Sequence, residues 1–194
     1  SDKIQDNFAR TVWGDHPLGQ TIMGPPKNML SLPRPDVVRF MKEHYKAGSI
    51  IVAASGSISH DKLVRLVKEK FRFTSGTAER GSVAESRVDK AVVTEKGRGK
   101  QTHLCLGFST LPYSRPEKMT ILALSSFLGG GMSSVLFQKI REDRGLAYAV
   151  YSFNDFYRDA GVFGVYLGTD GQNLAKATDL VLTELRKLKR HKLT

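Results

Sequence analysis

The sequence predicts an α+β fold built on both sides of a polar linker. Three observations carry that expectation. Segments with apolar residues at helical spacing alternate with short apolar runs that suit strands. Residues 74–89, TSGTAERGSVAESRVD, lose all periodicity and turn polar, with two Gly and several Ser and Thr, which is the composition of a linker. The flanking parts also echo one another, each with a strand leading through Gly-Ser or Gly-Thr into an amphipathic helix.

Before the linker, Pro33 and Pro35 precede a helix expected from Asp36 to Tyr45, with Val37, Val38, Met41 and Tyr45 as its apolar stripe. The continuous apolar run Ile50-Ile51-Val52-Ala53-Ala54 suits a strand covered on both faces. Gly56 then leads to Ser59, an N-cap for a helix carrying Leu63, Leu66, Val67 and Phe71 on one side. After the linker, residues 91–94 and 103–108 read as strands, the second with Leu104, Leu106 and Phe108 alternating with His103, Cys105 and Gly107. Pro116 opens a nearly all-apolar helix through Leu128, expected to be buried. Ser133 or Ser134 begins another helix, which Gly145 ends. Residues 148–153 and 162–167 read as antiparallel strands joined by a polar turn around Arg158-Asp159. A last helix, from about Asn173 to Leu188, sets Leu174, Ala177, Val181, Leu185 and Leu188 on one face.

With 40% hydrophobic and 25% charged residues among 194, the chain can bury a core and is not disordered by composition. It opens on Ser-Asp-Lys with neither an initiator Met nor an apolar leader, so removal of an upstream segment is expected. The twenty uncharged residues between Lys118 and Lys139 are interrupted by Gly129-Gly130-Gly131 and four serines. They read as buried helix and loop, not as a membrane span. A formal charge of +11 raises a nucleic-acid or anionic-surface partner. The basic residues are scattered, however, and no aromatic stacking residues interleave with the clusters at 96–100 and 186–192, so solvated faces are expected and nucleic acid is not. Cys105 is the only cysteine, which excludes an internal disulfide and any thiolate cluster within the chain. Between Leu104 and Leu106 it reads as a small core residue.

Metal-dependent hydrolysis needs clustered His and carboxylate ligands, commonly two His at helical spacing beside a Glu. The five histidines, at 16, 44, 60, 103 and 191, include no pair three to five residues apart. The nearest approach to an H-x-x-E-H motif is Phe40-Met-Lys-Glu43-His44, where Phe stands at the first ligand position and cannot bind zinc. No G-x-S-x-G elbow, P-loop or G-x-G-x-x-G is present. The triple glycine 129–131 follows a helix and not a strand, so it reads either as a helix-to-helix turn or as a substrate-facing loop.

His16-Pro17-Leu18-Gly19-Gln20, Gly24, His44-Tyr45 and the stretch IIVAASGSI at 50–58 together resemble the second half of the catalytic domain of an insulinase/pitrilysin-type zinc peptidase. They are most similar to the bacterial branch that also resembles mitochondrial processing peptidase. Residues 128–153, LGGGMSSVLFQKIREDRGLAYAVYSF, resemble the first half of the second domain of such a subunit, with Val135 where close relatives often carry Arg. The resemblance implies two related half-domains, each a sheet with helices packed on it. Residues 1–73 would be the C-terminal half of the catalytic-type domain, 74–89 the linker, and 90–194 the N-terminal half of a substrate-closing domain.

It further implies a parent zinc metalloendopeptidase cleaving peptides in a two-domain chamber, with the H-x-x-E-H helix and a distal Glu ligand upstream of this chain. The chain itself would hold no zinc. The alternative is a non-catalytic peptide- or partner-binding subunit of the same fold. By the same resemblance, Arg141 would hydrogen-bond the substrate backbone, Tyr148 would donate toward the developing oxyanion, and Gly129, Gly130 and Gly131 would face substrate. From the residues alone, Arg141 reads as a surface helix residue paired with Glu142 or Asp143, and Tyr148 as an ordinary strand aromatic; the resemblance is what favours the functional roles. A peptide substrate, a homodimer or paired subunit, and a bacterial cytoplasmic setting complete what the resemblance implies.

Overall fold

A computed structural model describes residues 2–78, 91–97 and 99–190. The expected linker at 74–89 therefore lies mostly outside the described residues. The chain forms two compact units, one of residues 1–21 with 84–194 and the other of residues 22–83.

The larger unit is organised by a three-stranded antiparallel sheet in the order β1-β3-β2, with β1 Thr102–Thr110, β2 Ala149–Phe156 and β3 Gly161–Thr169. The register pairs Gly107 with Gly164 and Phe153 with Gly164, so these three residues share one face. The polar turn at Arg158-Asp159 joins β2 to β3 as the sequence predicts, closed by Tyr157 N–H donating to Ala160 O at 2.8 Å. All nine residues of β3 are buried. That follows from its central place: both its edges are paired, and side chains on each face are covered.

On one face, Phe163, Val165 and Leu167 pack with Leu128 of helix α5 (Lys118–Gly129), with Leu136 and Ile140, and with Ala177 and Val181 of helix α6 (Leu174–Arg190). The apolar stripe predicted for α6 is the one that is buried. On the other face, helix α1 (Asp2–Trp13) contributes Val12 and Trp13, which cluster with Val162, Phe8 and Tyr157. The ring of Phe153 lies over Gly164, where a Cβ would come within 2.2 Å of it, and meets Phe8 edge-on at 5.4 Å.

Two expectations in this unit are corrected. Residues 91–94 form no strand, and Val92 is 94% exposed. Glu95 is tied instead to α1, accepting from Lys3 and from Asn7 Nδ2 at 2.8 Å, and these hydrogen bonds, Lys3 first, hold its carboxyl below the usual range. Helix α5 is not buried all round: Leu128 is fully covered, but Met119, Leu122 and Phe127 are exposed. A single sheet layer can cover only one side of a helix, and no described element of this unit covers the other.

In the smaller unit the two expected helices form, and a short third one, which the sequence analysis does not predict, precedes them. Helix α2 spans Pro26–Ser31, and α3 runs Arg34–His44 with Pro35 in its first turn, where a missing N–H costs nothing. Helix α4, His60–Lys70, is capped by Ser59 Oγ, which accepts from Lys62 N–H at 3.4 Å. The strand expected at 50–54 is absent. Residues 51–55 have no paired backbone among the described residues, and Ile51 is 94% exposed. A strand covered on both faces needs neighbours on its edges and layers above and below, and this unit supplies neither. Among its described residues one bridge joins Lys46 to Thr74, with Ala47 N–H donating to Thr74 O at 2.9 Å. No described residue of this unit is buried. No helix among the described residues is long and apolar enough to cross a membrane.

Candidate functional site

The segment carrying Arg141 is an unusual helix. Residues Phe137–Glu142 form a π-helical turn, in which Asp143 N–H reaches back five residues to Gln138 O at 2.8 Å. Such turns carry one residue more per turn than an α-helix and occur often at functional sites. Leu136 and Ile140 anchor the segment in the core at 0% exposure. Gly145 terminates it as the sequence predicts, in the left-handed region at φ 58°, with its N–H on Arg141 O at 3.0 Å and that of Leu146 on Ile140 O at 2.9 Å.

Lys139 and Arg141 leave this turn for different partners. Lys139 Nζ donates to Glu184 Oε2 of α6 at 2.8 Å, and Lys187 donates to the other carboxylate oxygen, also at 2.8 Å. Glu184 is buried. Burial alone would raise its pKa, but the two lysine hydrogen bonds outweigh it and hold the carboxyl below the ordinary value. The π turn is thereby fastened to α6. Arg141 is exposed and lies over the Phe137 ring at 4.9 Å. It makes no ion pair with Glu142 or Asp143 among the described residues, and Asp143 sits instead 3.9 Å from Arg144.

Tyr148 stands just before β2, its N–H donating to Gly168 O at 2.8 Å, which fixes its main chain to the end of β3. Its side chain is 53% exposed, and its hydroxyl donates to Asp170 Oδ2 at 2.9 Å. That hydrogen bond to a carboxylate, followed by the carboxylate's charge, pushes the phenol pKa up. The short turn Leu146–Tyr148 after Gly145 thus carries the chain from the π segment to the strand.

The three glycines divide in role. Gly129 is buried against β2, where a Cβ would come within 2.3 Å of Ser152 N. The same close approach is stitched by Ser152 Oγ donating to Ser125 O at 2.7 Å. A Cβ at Gly130 would lie 2.6 Å from Ser126 Cα, whereas Gly131 is exposed with nothing within 4 Å.

Cys105 is half-buried, and burial pushes its thiol up to about 11, which favours the protonated form at neutral pH and agrees with a packing role. Two features escaped the sequence reading. The Lys139–Glu184 pair joins residues far apart in the chain, and no sequence pattern singles out Asp170. Neither contact leaves a spacing signal, because each is made across elements and not along one.

Among the described residues, no group of three or more His, Cys, Asp or Glu could hold a metal. At the Phe40-x-x-Glu43-His44 stretch, the Phe40 ring lies 4.3 Å from the His44 ring on an exposed helix. Phe40 offers no donor atom, so these residues do not fit zinc, and no chemical step is assigned to a metal on them.

Residues 31–194 match the family model described as the peptidase M16 inactive domain. Over all of its length the chain is 33% identical to an uncharacterized zinc protease of Streptomyces coelicolor, covering 44% of that protein. It is 31% identical, again over all of its length, to an uncharacterized zinc protease of Bacillus subtilis, covering 47% of it. The chain thus spans less than half the length of these relatives. The crystal structure of a peptidase M16 inactive domain from Pseudomonas fluorescens superposes with a TM-score of 0.89 at 20% identity, over 99% of this chain and 47% of that one, a likeness of fold. The α+β architecture and the family match over residues 31–194 agree: the chain belongs to the peptidase M16 inactive-domain family.

Proposed function

We propose that this chain is the peptide-gripping part of a zinc metalloendopeptidase whose two domains close over the substrate. The observation that carries the reading is the exposure of Arg141 and Tyr148 on either side of the Gly145 turn, one from a π-helical segment and the other at the mouth of β2. The names of the relatives, zinc proteases from two bacteria, support the reaction class. In this reading, 1–73 and 90–194 are halves of two related domains. The partners are a peptide substrate and a second subunit, as a homodimer or a paired assembly, and the setting is the bacterial cytoplasm.

The chemistry assigned to this chain is binding and polarisation. The Arg141 guanidinium offers a planar fork of donors to peptide carbonyls, which an ammonium cannot reproduce. The Tyr148 hydroxyl donates to the carbonyl oxygen as negative charge develops on it. Gly131 is exposed and without a side chain, and in this reading its backbone faces substrate. In the full-length protein, Tyr148→Phe should lower kcat about 10²–10³-fold with little change in KM, since the bond is made mainly in the transition state. Arg141→Lys should raise KM. Near-wild-type kcat for Tyr148→Phe would remove Tyr148 from the mechanism.

A second reading is a non-catalytic peptide- or partner-binding subunit of the same fold. It is favoured by the family description, an inactive domain, and by Phe40 at the first position of the motif-like stretch. Full-length protein that binds peptides but cleaves none at any metal supplement would establish this reading over the first.

A further inference from the structure

We propose that Asp170 is a latch on Tyr148, holding the phenol's one proton in the resting protein and competing with bound peptide for it. The inference rests on the reading of Tyr148 as a donor to substrate. A phenol has a single O–H. Here that proton is given to Asp170 Oδ2 at 2.9 Å. A hydroxyl so engaged cannot also donate to a peptide carbonyl, so the contact must open before Tyr148 can act.

The geometry makes Asp170 the fixed partner and Tyr148 the movable one. The Asp170 main chain follows directly on β3, and its carbonyl accepts from Asn173 N–H at 2.9 Å and Thr169 Oγ1 at 3.3 Å. Its carboxylate makes no capping bond to the turn it precedes, Gly171–Asn173, and so is left for the phenol. Tyr148 is held through its main chain at Gly168, while half of its side chain stands in solvent. The carboxylate offers a charge-assisted bond, better than a neutral ground-state carbonyl can provide. An oxyanion developing in a closed, water-poor site matches that charge. The latch therefore yields to the reacting carbonyl in preference to a loosely seated peptide.

The test compares full-length protein carrying Asp170→Ala, Asp170→Asn, Tyr148→Phe, and Asp170→Ala with Tyr148→Phe, on a fluorogenic peptide. Asp170→Ala should raise kcat/KM roughly three- to tenfold, the scale of one hydrogen bond released from competition. Asp170→Asn, with a neutral acceptor, should fall between it and the unaltered protein. In the Tyr148→Phe background the gain should vanish, because no proton is left to compete for. A merely structural role would lower activity in both backgrounds, together with the melting temperature. If Tyr148→Phe is crippling while Asp170→Ala leaves kcat/KM unchanged or lower, the latch is overturned and the donor role of Tyr148 stands. Near-wild-type Tyr148→Phe sinks both together. Where the full-length protein binds but does not cleave, the same four variants are ranked by peptide dissociation constant. The same pattern supports the latch, and any other overturns it.

Discussion

The two compact units of this chain are built from similar kinds of segment and reach opposite outcomes. In the larger unit, β3 pairs on both edges, is covered on both faces and has every residue buried. In the smaller unit, α3 and α4 form where the sequence places prolines and a cap, yet no described residue is buried, and residues 51–54 of the apolar run pair with nothing among the described residues. Local signals are sufficient to form a helix in outline. A strand and a core need partners, and hydrophobic stabilisation comes only with burial.

The largest expected difference between the units is in hydrogen exchange. Backbone amides of β3 should exchange at least about a thousandfold more slowly than those of residues 51–55, which have no partner among the described residues. Peptide-resolved exchange measured by mass spectrometry checks this, and equal rates would erase the distinction. The next effect is on stability. Phe163→Ala, at the centre of the core, should cost about 3–5 kcal/mol, while Ile51→Ala at an exposed site should change it by less than about 0.5 kcal/mol. Denaturant unfolding of both variants gives the comparison.

Much of this contrast was legible in the sequence, and the failures share one cause. The alternation of Leu104 and Leu106 with His103 and Cys105, the stripe Leu174-Ala177-Val181 and the Gly145 stop all report on local periodicity, and each was found in its predicted element. The strands expected at 50–54 and 91–94, and the all-round burial of α5, depended on what would cover them, which periodicity does not encode. The roles proposed for Arg141 and Tyr148 come only from a family resemblance. Their neighbours Glu184 and Asp170 were not legible, because a contact between distant elements leaves no mark on spacing.

Smaller effects sharpen the picture inside the larger unit. Gly129→Ala sets a Cβ 2.3 Å from the backbone of Ser152 and should cost about 1–3 kcal/mol, whereas Gly131→Ala, with nothing within 4 Å, should cost less than about 0.5 kcal/mol. Thermal melts of the pair would show whether the glycine run is a packing device at one end and open loop at the other.

The smallest effect concerns Glu184. Its folded-state pKa lies below that of an unfolded glutamate, so the stability it adds is present above about pH 4.5 and is lost as pH falls through the lower folded value. At neutral pH, Glu184→Gln should cost about 1–2 kcal/mol, moderated because Lys139 and Lys187 are partly exposed and screened. The variant should also flatten the acid limb of a stability-against-pH curve. An unchanged acid limb would mean that the lysine clamp does not fasten the π turn to α6.

The strand order carries a consequence for how the molecule is made. The central strand β3 is the last of the three to leave the ribosome, and neither β1 nor β2 touches the other. Until residues 161–169 emerge, both neighbours wait with unpaired backbone, and Thr110 can meet Gly161 only after the whole intervening chain has been synthesised. The β2–β3 hairpin can close as soon as β3 emerges, but the β1–β3 pairing joins residues about fifty apart or more, the slow kind in the relation between topology and folding rate. Helix α1, which packs beside β1 although about ninety residues separate the two in sequence, must hold or find its place over that interval. During synthesis β1 therefore stands unpaired over the roughly fifty residues that separate it from β3, and the arrival of β3 closes that window.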